Sequence, residues 1–286
     1  MPDGGLPVTD ALEAKSRALQ QHLRGMGRVL VAYSGGVDSA FLAWAASRQL
    51  GENMLAVLAD SPSLARSQMQ DAVAFAQEQS IPLTIVQTGE MERPEYRQND
   101  GLRCFHCKDE LFTVMEEFRA RHGFDIIAYG VNADDQGDYR PGQQAARQHG
   151  VSAPLLTAGL AKQEIRDLAR AAGLRIWDKP ASACLSSRIE YGRPVTPEAL
   201  QVVEQGEEAL RRLGFRQFRV RHHGDIVRIE IAREELPRAL SPEMAAEFAR
   251  IFKAFGFAYV TLDLEGFRSG SMNAVLPLDV LTQTKA

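Results

Sequence analysis

The stretch Val29-Leu30-Val31-Ala32-Tyr33-Ser34-Gly35-Gly36-Val37-Asp38-Ser39 decides how the rest of the chain is read. Val29 to Tyr33 is a continuous, β-rich apolar run, the pattern of a short strand buried on both faces. Ser34-Gly35-Gly36 interrupts it with small residues, and Asp38 and Ser39 open an apolar segment of helical length, Ala40 to Leu50. A strand, a glycine turn and a helix N-terminus bring free backbone N–H groups and the positive end of the helix dipole to one point, which is what an anion site needs. Glycine lets the backbone approach a phosphate with no Cβ between them. The lysine of a G-x-x-x-x-G-K-[ST] loop is absent, so this is a different phosphate loop or a plain connection with no ligand.

Outward from this stretch, strands and helices alternate. Ala11 to Gly25 is an amphipathic helix with Leu12, Leu19 and Leu23 at core spacing. Met54 to Leu58 reads as a second strand, Ser67 to Glu78 as a helix opened by Ser67, Leu83 to Val86 as a third strand and Ile126 to Gly130 as a fourth. That order predicts a parallel sheet covered on both faces. Ligands of such sheets lie beyond the carboxyl ends of the strands. Ala59-Asp60-Ser61, just after the second strand, is therefore expected to flank adenine or ribose. The polar stretch Val131-Asn132-Ala133-Asp134-Asp135-Gln136, which continues to Gly142, suits a site at the end of the fourth strand; a solvated loop is its alternative. Glu92 to Arg103 reads as a loop, Ala153 to Leu156 as a short edge segment, and Lys162 to Ala172 as a helix stopped by Gly173.

Near Tyr191-Gly192-Arg193-Pro194 the pattern changes. A helix from Pro197 to about Leu213, a hairpin of Phe218 to Arg221 with Ile226 to Ile231, a helix from Pro242 to Phe255 and a strand from Tyr259 to Leu264 make a small α+β unit. The expected class is α/β: a parallel-sheet domain over residues 1–190, followed by a smaller α+β domain over residues 191–286.

With 286 residues the chain can fill one large domain or two ordinary ones. No run approaches the ~18 apolar residues of a membrane span, and Met1 to Asp10 lacks the layout of a signal segment. A cytoplasmic protein is expected. The net charge of −4 argues against a broad nucleic-acid footprint, which needs a basic face.

Three cysteines, an odd number without secretory context, argue against a disulfide framework. Cys104 and Cys107 form a C-x-x-C that fits a zinc half-site, a redox pair or cluster ligands. His106 is badly placed inside the pair to serve as a further ligand. With Cys184 there are three thiols, the number required by a [4Fe–4S] cluster with one open iron. Three unrelated thiols are the alternative, although Cys184 lies among Ser182, Ser186, Ser187 and Arg188, an unusual setting for a core cysteine.

Ser34-Gly35-Gly36-Val37-Asp38-Ser39 resembles the pyrophosphate (PP) loop of the ATP-pyrophosphatase family, whose members cleave ATP to AMP and pyrophosphate, usually by adenylating a substrate. The resemblance implies that Ser34, Gly35, Gly36, Asp38 and Ser39 hold pyrophosphate, with Asp38 near Mg²⁺. Later motifs narrow the match. Asp138-Tyr139-Arg140-Pro141-Gly142, Ala183-Cys184-Leu185-Ser186-Ser187-Arg188 with Tyr191-Gly192, Arg219-Val220-Arg221, and Leu262-Asp263-Leu264-Glu265-Gly266-Phe267-Arg268-Ser269-Gly270 together resemble the LarE-type sulfur transferases. Those enzymes serve synthesis of the nickel-pincer nucleotide, the lactate racemase cofactor. The resemblance runs from Val29 to Asn273.

It implies an ATP- and Mg²⁺-dependent enzyme that adenylates a carboxylate of pyridinium-3,5-biscarboxylic acid mononucleotide and converts it to a thiocarboxylate. One family variant sacrifices the sulfur of a single cysteine; the other carries a C-x-x-C and a third cysteine and uses a [4Fe–4S] cluster. This chain has Ala183 where the sacrificial pattern places its cysteine, and so resembles the second, with Cys104, Cys107 and Cys184 as ligands and sulfide or a persulfide as donor. The resemblance also implies Lys108, Arg188 and Cys184 at the reaction centre, Glu207 facing it, Asp60 and Asn132 at the nucleotide, and Arg219, Arg221 and Arg268 around the substrate phosphate. Guanidinium forks suit a phosphate, while solvated strand charges are the alternative for Arg219 and Arg221. A homo-oligomer, a hexamer in this family, is expected. Two rivals are weighed: a cluster-dependent tRNA thiolase, opposed by the mild acidity, and a non-catalytic ATP and cluster sensor, which would bind ATP without releasing pyrophosphate.

Overall fold

A computed structural model describes residues 9–136, 141–180, 183–268 and 270–272. Asp138 to Arg140, Ser182, Ser269 and Asn273, which belong to stretches quoted above, lie outside the described residues.

Helix α1 (Asp10–Arg24) opens on Thr9, whose hydroxyl accepts the Leu12 N–H at 3.3 Å, and it buries Leu12, Leu19 and Leu23. Four parallel strands follow: β1 (Val29–Ala32), β2 (Met54–Asp60), β3 (Leu83–Gln87) and β4 (Ile126–Tyr129), in the spatial order β3-β2-β1-β4. Strand β1 lies inside the sheet and every residue of it is buried. Its side chains alternate between two cores, as the period of two requires. Val29 and Val31 pack with α1, α2 (Val37–Leu50), α3 (Arg66–Glu78) and α8 (Lys162–Ala171). Leu30 and Ala32 pack with Phe112 and Met115 of α5 (Arg103–His122) and with Ala145 and Ala146 of α6 (Pro141–Gln148). This two-sided burial explains why the strand reads as unbroken apolar sequence.

The C-terminal unit is a three-stranded sheet, β5 (Phe218–His223), β6 (Ile226–Ile231) and β7 (Tyr259–Leu262), with β6 central, antiparallel to β5 and parallel to β7. Phe218, Val220, Val227, Ile229 and Ile231 bury one face against α9 (Pro197–Arg212) and α10 (Pro242–Ala254). The residues alternating with them, Arg219, Arg221, Arg228 and Glu230, occupy the other face. A further apolar cluster packs Ala65 and Tyr96 of the first unit against Leu185, Ile189 and Val195 and against Leu200 and Val203 of α9.

Several expectations are corrected. Strand β2 extends to Asp60, so Ala59 and Asp60 end the strand instead of following it. Helix α3 starts at Arg66 after Ala65, with no side-chain cap, so Ser67 does not open it. The expected loop at Glu92 to Arg103 contains α4 (Pro94–Arg97), started by a proline at its first position, and Arg103 already begins α5. The C-x-x-C thus occupies the first turn of a 20-residue helix. The edge segment at Ala153 is instead a short helix, α7 (Pro154–Thr157), and only Ser152 bridges to β4. The last strand stops at Leu262, two residues early. None of the described helices is long and apolar enough to cross a membrane.

Candidate active site

The turn from β1 into α2 is built by its own residues. Gly35 has φ +73°, and a Cβ there would meet the Ala72 Cβ of α3 at 2.6 Å, so only glycine fits. Gly36 is the N-cap of α2 and has no side chain to occupy the first N–H groups. Ser39 braces the turn: its hydroxyl accepts the Ser34 N–H and donates to the Gly36 carbonyl, both at 3.1 Å, with the Ser34 hydroxyl 3.0 Å away. At Gly130, after β4, a Cβ would stand 2.7 Å from the Ser39 backbone N. The turn is therefore tightly packed against the residue that follows β4.

Asp38 lies at this mouth. One carboxylate oxygen accepts Lys162 Nζ at 2.7 Å and Asn132 Nδ2 at 3.3 Å. The other, Oδ1, is buried without a hydrogen-bond partner. A buried carboxylate oxygen left unpaired is costly, and a hard cation is a partner that would satisfy it. Asn132 is fixed by accepting the Asp134 N–H at 2.9 Å. The acidic stretch is partly structural: Asp134 caps α8 by accepting the Lys162 N–H at 2.8 Å, and Asp135 accepts the Asn132 N–H at 3.1 Å. Asp60, at the carboxyl end of β2, holds Arg66 at 2.5 Å and Gln87 at 2.9 Å.

A second centre surrounds the cysteines. The Leu185 N–H donates to the Ser63 carbonyl at 2.8 Å, and the Ser63 N–H to the Ser61 hydroxyl at 3.0 Å, so the Cys184 loop hangs from the turn after β2. Ser61 also donates to the buried carboxylate of Glu90. Cys104 and Cys107, one turn apart on α5, are close enough to Cys184 for the thiols to feel each other's charge. Burial opposes ionisation of Cys184, but the Arg103 guanidinium, the Ser186 hydroxyl 3.0 Å away and Arg188 outweigh it and lower its pKa. Burial raises Cys107, and the Lys108 ammonium offsets it only in part. Among the described residues, no three His, Cys, Asp or Glu side chains are disposed to hold a metal ion.

Arg188 and Glu207 lie beneath the loop as a buried pair, Nε to Oε1 at 2.8 Å. Arg188 also donates to the Ala183 and Cys184 carbonyls at 2.7 and 2.9 Å, so its charge shapes the loop backbone. The Arg221 guanidinium reaches the Ser187 carbonyl at 3.2 Å and so joins the polar face of the second sheet to the same loop. On that face Glu230, wholly buried, accepts Arg221 at 2.7 Å, Arg228 at 3.2 Å and the Ser271 hydroxyl at 2.7 Å. Asp263 accepts Arg228 at 2.9 Å and Arg268 at 3.3 Å. Arg219 stacks over Phe267, 4.9 Å from the ring centre. Burial, then the positive charges of Arg188 and Arg221, push Arg219 down to about 10, a crowding that an anion would relieve. A cavity of about 770 Å³ opens beside this face, lined by His223, Arg228, Arg268 and Ser271 among others.

The expected site residues thus fall into three neighbouring groups: Ser34, Gly35, Gly36, Asp38, Ser39 and Asn132 at the glycine turn; Cys104, Cys107, Lys108, Cys184, Arg188 and Glu207 at the thiols; and Arg219, Arg221 and Arg268 on the sheet. Asp60 stands at the neighbouring strand end. Sequence reasoning missed Lys162, Lys179, Arg103 and the Arg228–Glu230 pair. A signal existed for Lys162, since a lysine at the first position of a helix opposes the dipole and calls for a partner. Lys179 gave none, because it approaches the Gly35 carbonyl, at 3.1 Å, from 144 residues away.

The sequence profile of the NAD synthase family matches residues 12–122, the part that contains the glycine turn. Over 269 residues the chain is 34% identical to the pyridinium-3,5-bisthiocarboxylic acid mononucleotide synthase of Lactiplantibacillus plantarum, covering 93% of this chain and 96% of that protein. It is 44% identical over 265 residues to an uncharacterized protein of Synechocystis sp., covering 93% and 99% of the two chains.

Proposed function

The chain belongs to the LarE family of ATP-dependent sulfur transferases, and from that premise we propose that it adenylates a carboxylate of pyridinium-3,5-biscarboxylic acid mononucleotide and converts it to a thiocarboxylate. The observation that carries this reading is the Leu185 N–H to Ser63 O bond at 2.8 Å, which hangs the thiol loop on the strand end next to the glycine turn. A carboxylate is a poor electrophile, so activation must come first and sulfur must arrive at the same place.

The glycine turn and the N-terminus of α2 bind the departing pyrophosphate, and Asp38, with its unpaired oxygen, is the residue that would hold Mg²⁺. Asn132 and Lys162 orient that carboxylate. Asp60 and its partner Arg66 flank the base and ribose. Arg219, Arg221 and Arg268 receive the substrate phosphate through charge-assisted bonds. A substrate carboxylate oxygen attacks the α-phosphorus, pyrophosphate leaves, and the acyl-adenylate then meets a sulfur nucleophile that displaces AMP.

Cys104, Cys107 and Cys184 would hold a [4Fe–4S] cluster. The donor type fits, three thiols with Arg103 beside Cys104 and Cys184, but among the described residues they are not disposed as a ready-made metal site, and burial raises Cys104 and Cys107 while only Cys184 is lowered. When bound, a cluster with one iron free of protein ligands offers a place for exogenous sulfide. Arg188, held by Glu207, positions the Cys184 loop, and Lys108 supplies positive charge beside it. Residues 1–190 form the ATP-using domain and residues 191–286 the substrate-binding and oligomerisation domain. A homo-oligomer and a cytoplasmic location complete the proposal, the latter because the reaction draws on ATP.

The test is direct. Anaerobic protein given the mononucleotide, ATP, Mg²⁺ and sulfide should release AMP and pyrophosphate and yield the thiocarboxylate, followed by mass spectrometry. AMP release without the mononucleotide, or none with it, contradicts the proposal.

A further inference from the structure

The glycine turn carries no lysine of its own, so its positive potential comes from backbone N–H groups and a helix end, which supply only partial charge. Pyrophosphate leaving ATP is strongly anionic. Two lysines reach the turn from far along the chain. Lys162 is already committed to Asp38 at 2.7 Å. Lys179 is held quite differently.

Lys179 Nζ donates to the Gly35 carbonyl at 3.1 Å. Its side chain is only 18% exposed, and the carboxylate facing it, Asp71, is 3.7 Å away and 60% exposed. Arg175 adds further positive charge. Burial lowers the Lys179 pKa, and Asp71 restores it only in part. An ammonium so desolvated, with one carbonyl and one distant carboxylate, is poorly compensated. It stands beside an element whose geometry suits an anion. Its backbone is fixed, since the Lys179 N–H donates to the Ile176 carbonyl at 3.1 Å and Arg166 donates to the Lys179 carbonyl at 2.8 Å. The flexible stem leaves Nζ able to turn.

We propose that Lys179 is the cation that receives the leaving pyrophosphate, exchanging the Gly35 carbonyl for phosphate oxygens as ATP reacts. This rests on the reading of the glycine turn as a pyrophosphate site. The bond that forms joins a substrate carboxylate oxygen to the α-phosphorus. The bond that breaks leaves its electron pair on the bridging oxygen of pyrophosphate. No proton is transferred, and Lys179 keeps its charge throughout. It thereby fills from a distance the place that a phosphate-loop lysine fills locally.

The experiment compares the wild type with Lys179→Met and Lys179→Arg. Calorimetric titration with Mg²⁺-pyrophosphate should show about tenfold or greater weakening in Lys179→Met and largely restored affinity in Lys179→Arg, the size of one charge-assisted contact. Rapid-quench AMP formation should fall by roughly 10²-fold in Lys179→Met with KM for the mononucleotide unchanged, as expected for charge stabilised in the transition state. Unchanged pyrophosphate affinity and AMP rate in Lys179→Met would overturn the proposal. So would losses that follow a drop in melting temperature and are not rescued by arginine, because those describe a brace for the Gly35 carbonyl. Pyrophosphate binding needs no acceptor, so it decides the role of Lys179 by itself. Failure of the wild type to form AMP would count against the proposed function instead.

Discussion

The glycine turn and the arginine-bearing sheet face solve the same problem, presenting positive charge to an anion, in opposite ways. The turn uses backbone N–H groups and one partly exposed ion pair, Asp38 with Lys162, whose side chains are 19% and 36% exposed. The sheet face uses full charges that hold one another: Arg221, Arg228 and Arg268 are tied to Glu230 and Asp263, and Arg188 is tied to Glu207. A site made largely of backbone is ready once the chain folds, and Lys179, the buried charge beside it, faces only the exposed Asp71 and is not tied into a network of buried carboxylates. A site made of buried guanidinium groups needs buried carboxylates, and removal of one partner leaves the other stranded. Substitutions in the first region should therefore harm chemistry and spare stability, and those in the second should harm both.

The largest expected effect lies in the second region. Glu207→Ala strands the almost wholly buried Arg188, and should cost about 3–5 kcal/mol in urea unfolding, the usual penalty for breaking a buried pair. A loss below about 1 kcal/mol, typical of an exposed pair, would erase the contrast drawn here. Next is Asp38→Asn, which should reduce Mg²⁺-dependent AMP formation by roughly 10²–10³-fold, the effect of removing one preorganised electrostatic group. Its melting temperature should stay close to that of the wild type, and a large drop would show that the turn depends on its ion pair after all.

The difference between the regions also explains what the sequence could reveal. The strand Val29–Ala32, its glycine turn and helix α2 are consecutive, and their signals are local, so fold class and nucleotide end were legible from about twenty residues. The expectation that Leu12, Leu19 and Leu23 are core positions holds for the same reason. The loop expected over Glu92 to Arg103 failed because Pro94 starts a helix where polar composition suggests none. The partners of the arginines were illegible, since Glu230 and Asp263 are ordinary strand-end acids until β6 and β7 pair in parallel. Glu207 was named only through family resemblance, and nothing local shows that it faces Arg188 from 19 residues away.

Smaller effects sharpen the comparison within the sheet face. Arg219→Ala should weaken the mononucleotide by about tenfold while ATP affinity is kept, as loss of one charge-assisted bond to phosphate predicts. Arg221→Ala should do the same and also lower stability, because Glu230 is wholly buried. Equal stability of the two variants would mean that Glu230 is satisfied by Arg228 and Ser271 alone.

The smallest effect concerns the helix that carries Cys104 and Cys107. His149, just after α6, lies 3.0 Å from Asp109 and 3.1 Å from Glu116, both on α5, and Arg93 holds Asp109 from the other side at 2.8 Å. Burial disfavours the imidazolium, but the Asp109 and Glu116 carboxylates outweigh it and raise the His149 pKa above 6.5. A raised folded-state pKa means stabilisation that is complete below 6.5 and lost as pH rises through the folded value. The stability gap between the wild type and His149→Gln should thus be widest below pH 6.5 and narrow as pH rises past it, measured by urea unfolding across pH. A gap that widens with pH would reverse the assignment.

The most direct test of the whole account is the count of thiocarboxylates per chain. Protein reconstituted anaerobically with iron and sulfide is given excess sulfide, mononucleotide, ATP and Mg²⁺, and product and intact protein are weighed by mass spectrometry. The account predicts several thiocarboxylates per chain, one AMP for each, and Cys184 at its full mass afterwards. A yield that stops at one per chain, with Cys184 lighter by one H₂S, would contradict it and make that cysteine the sulfur source.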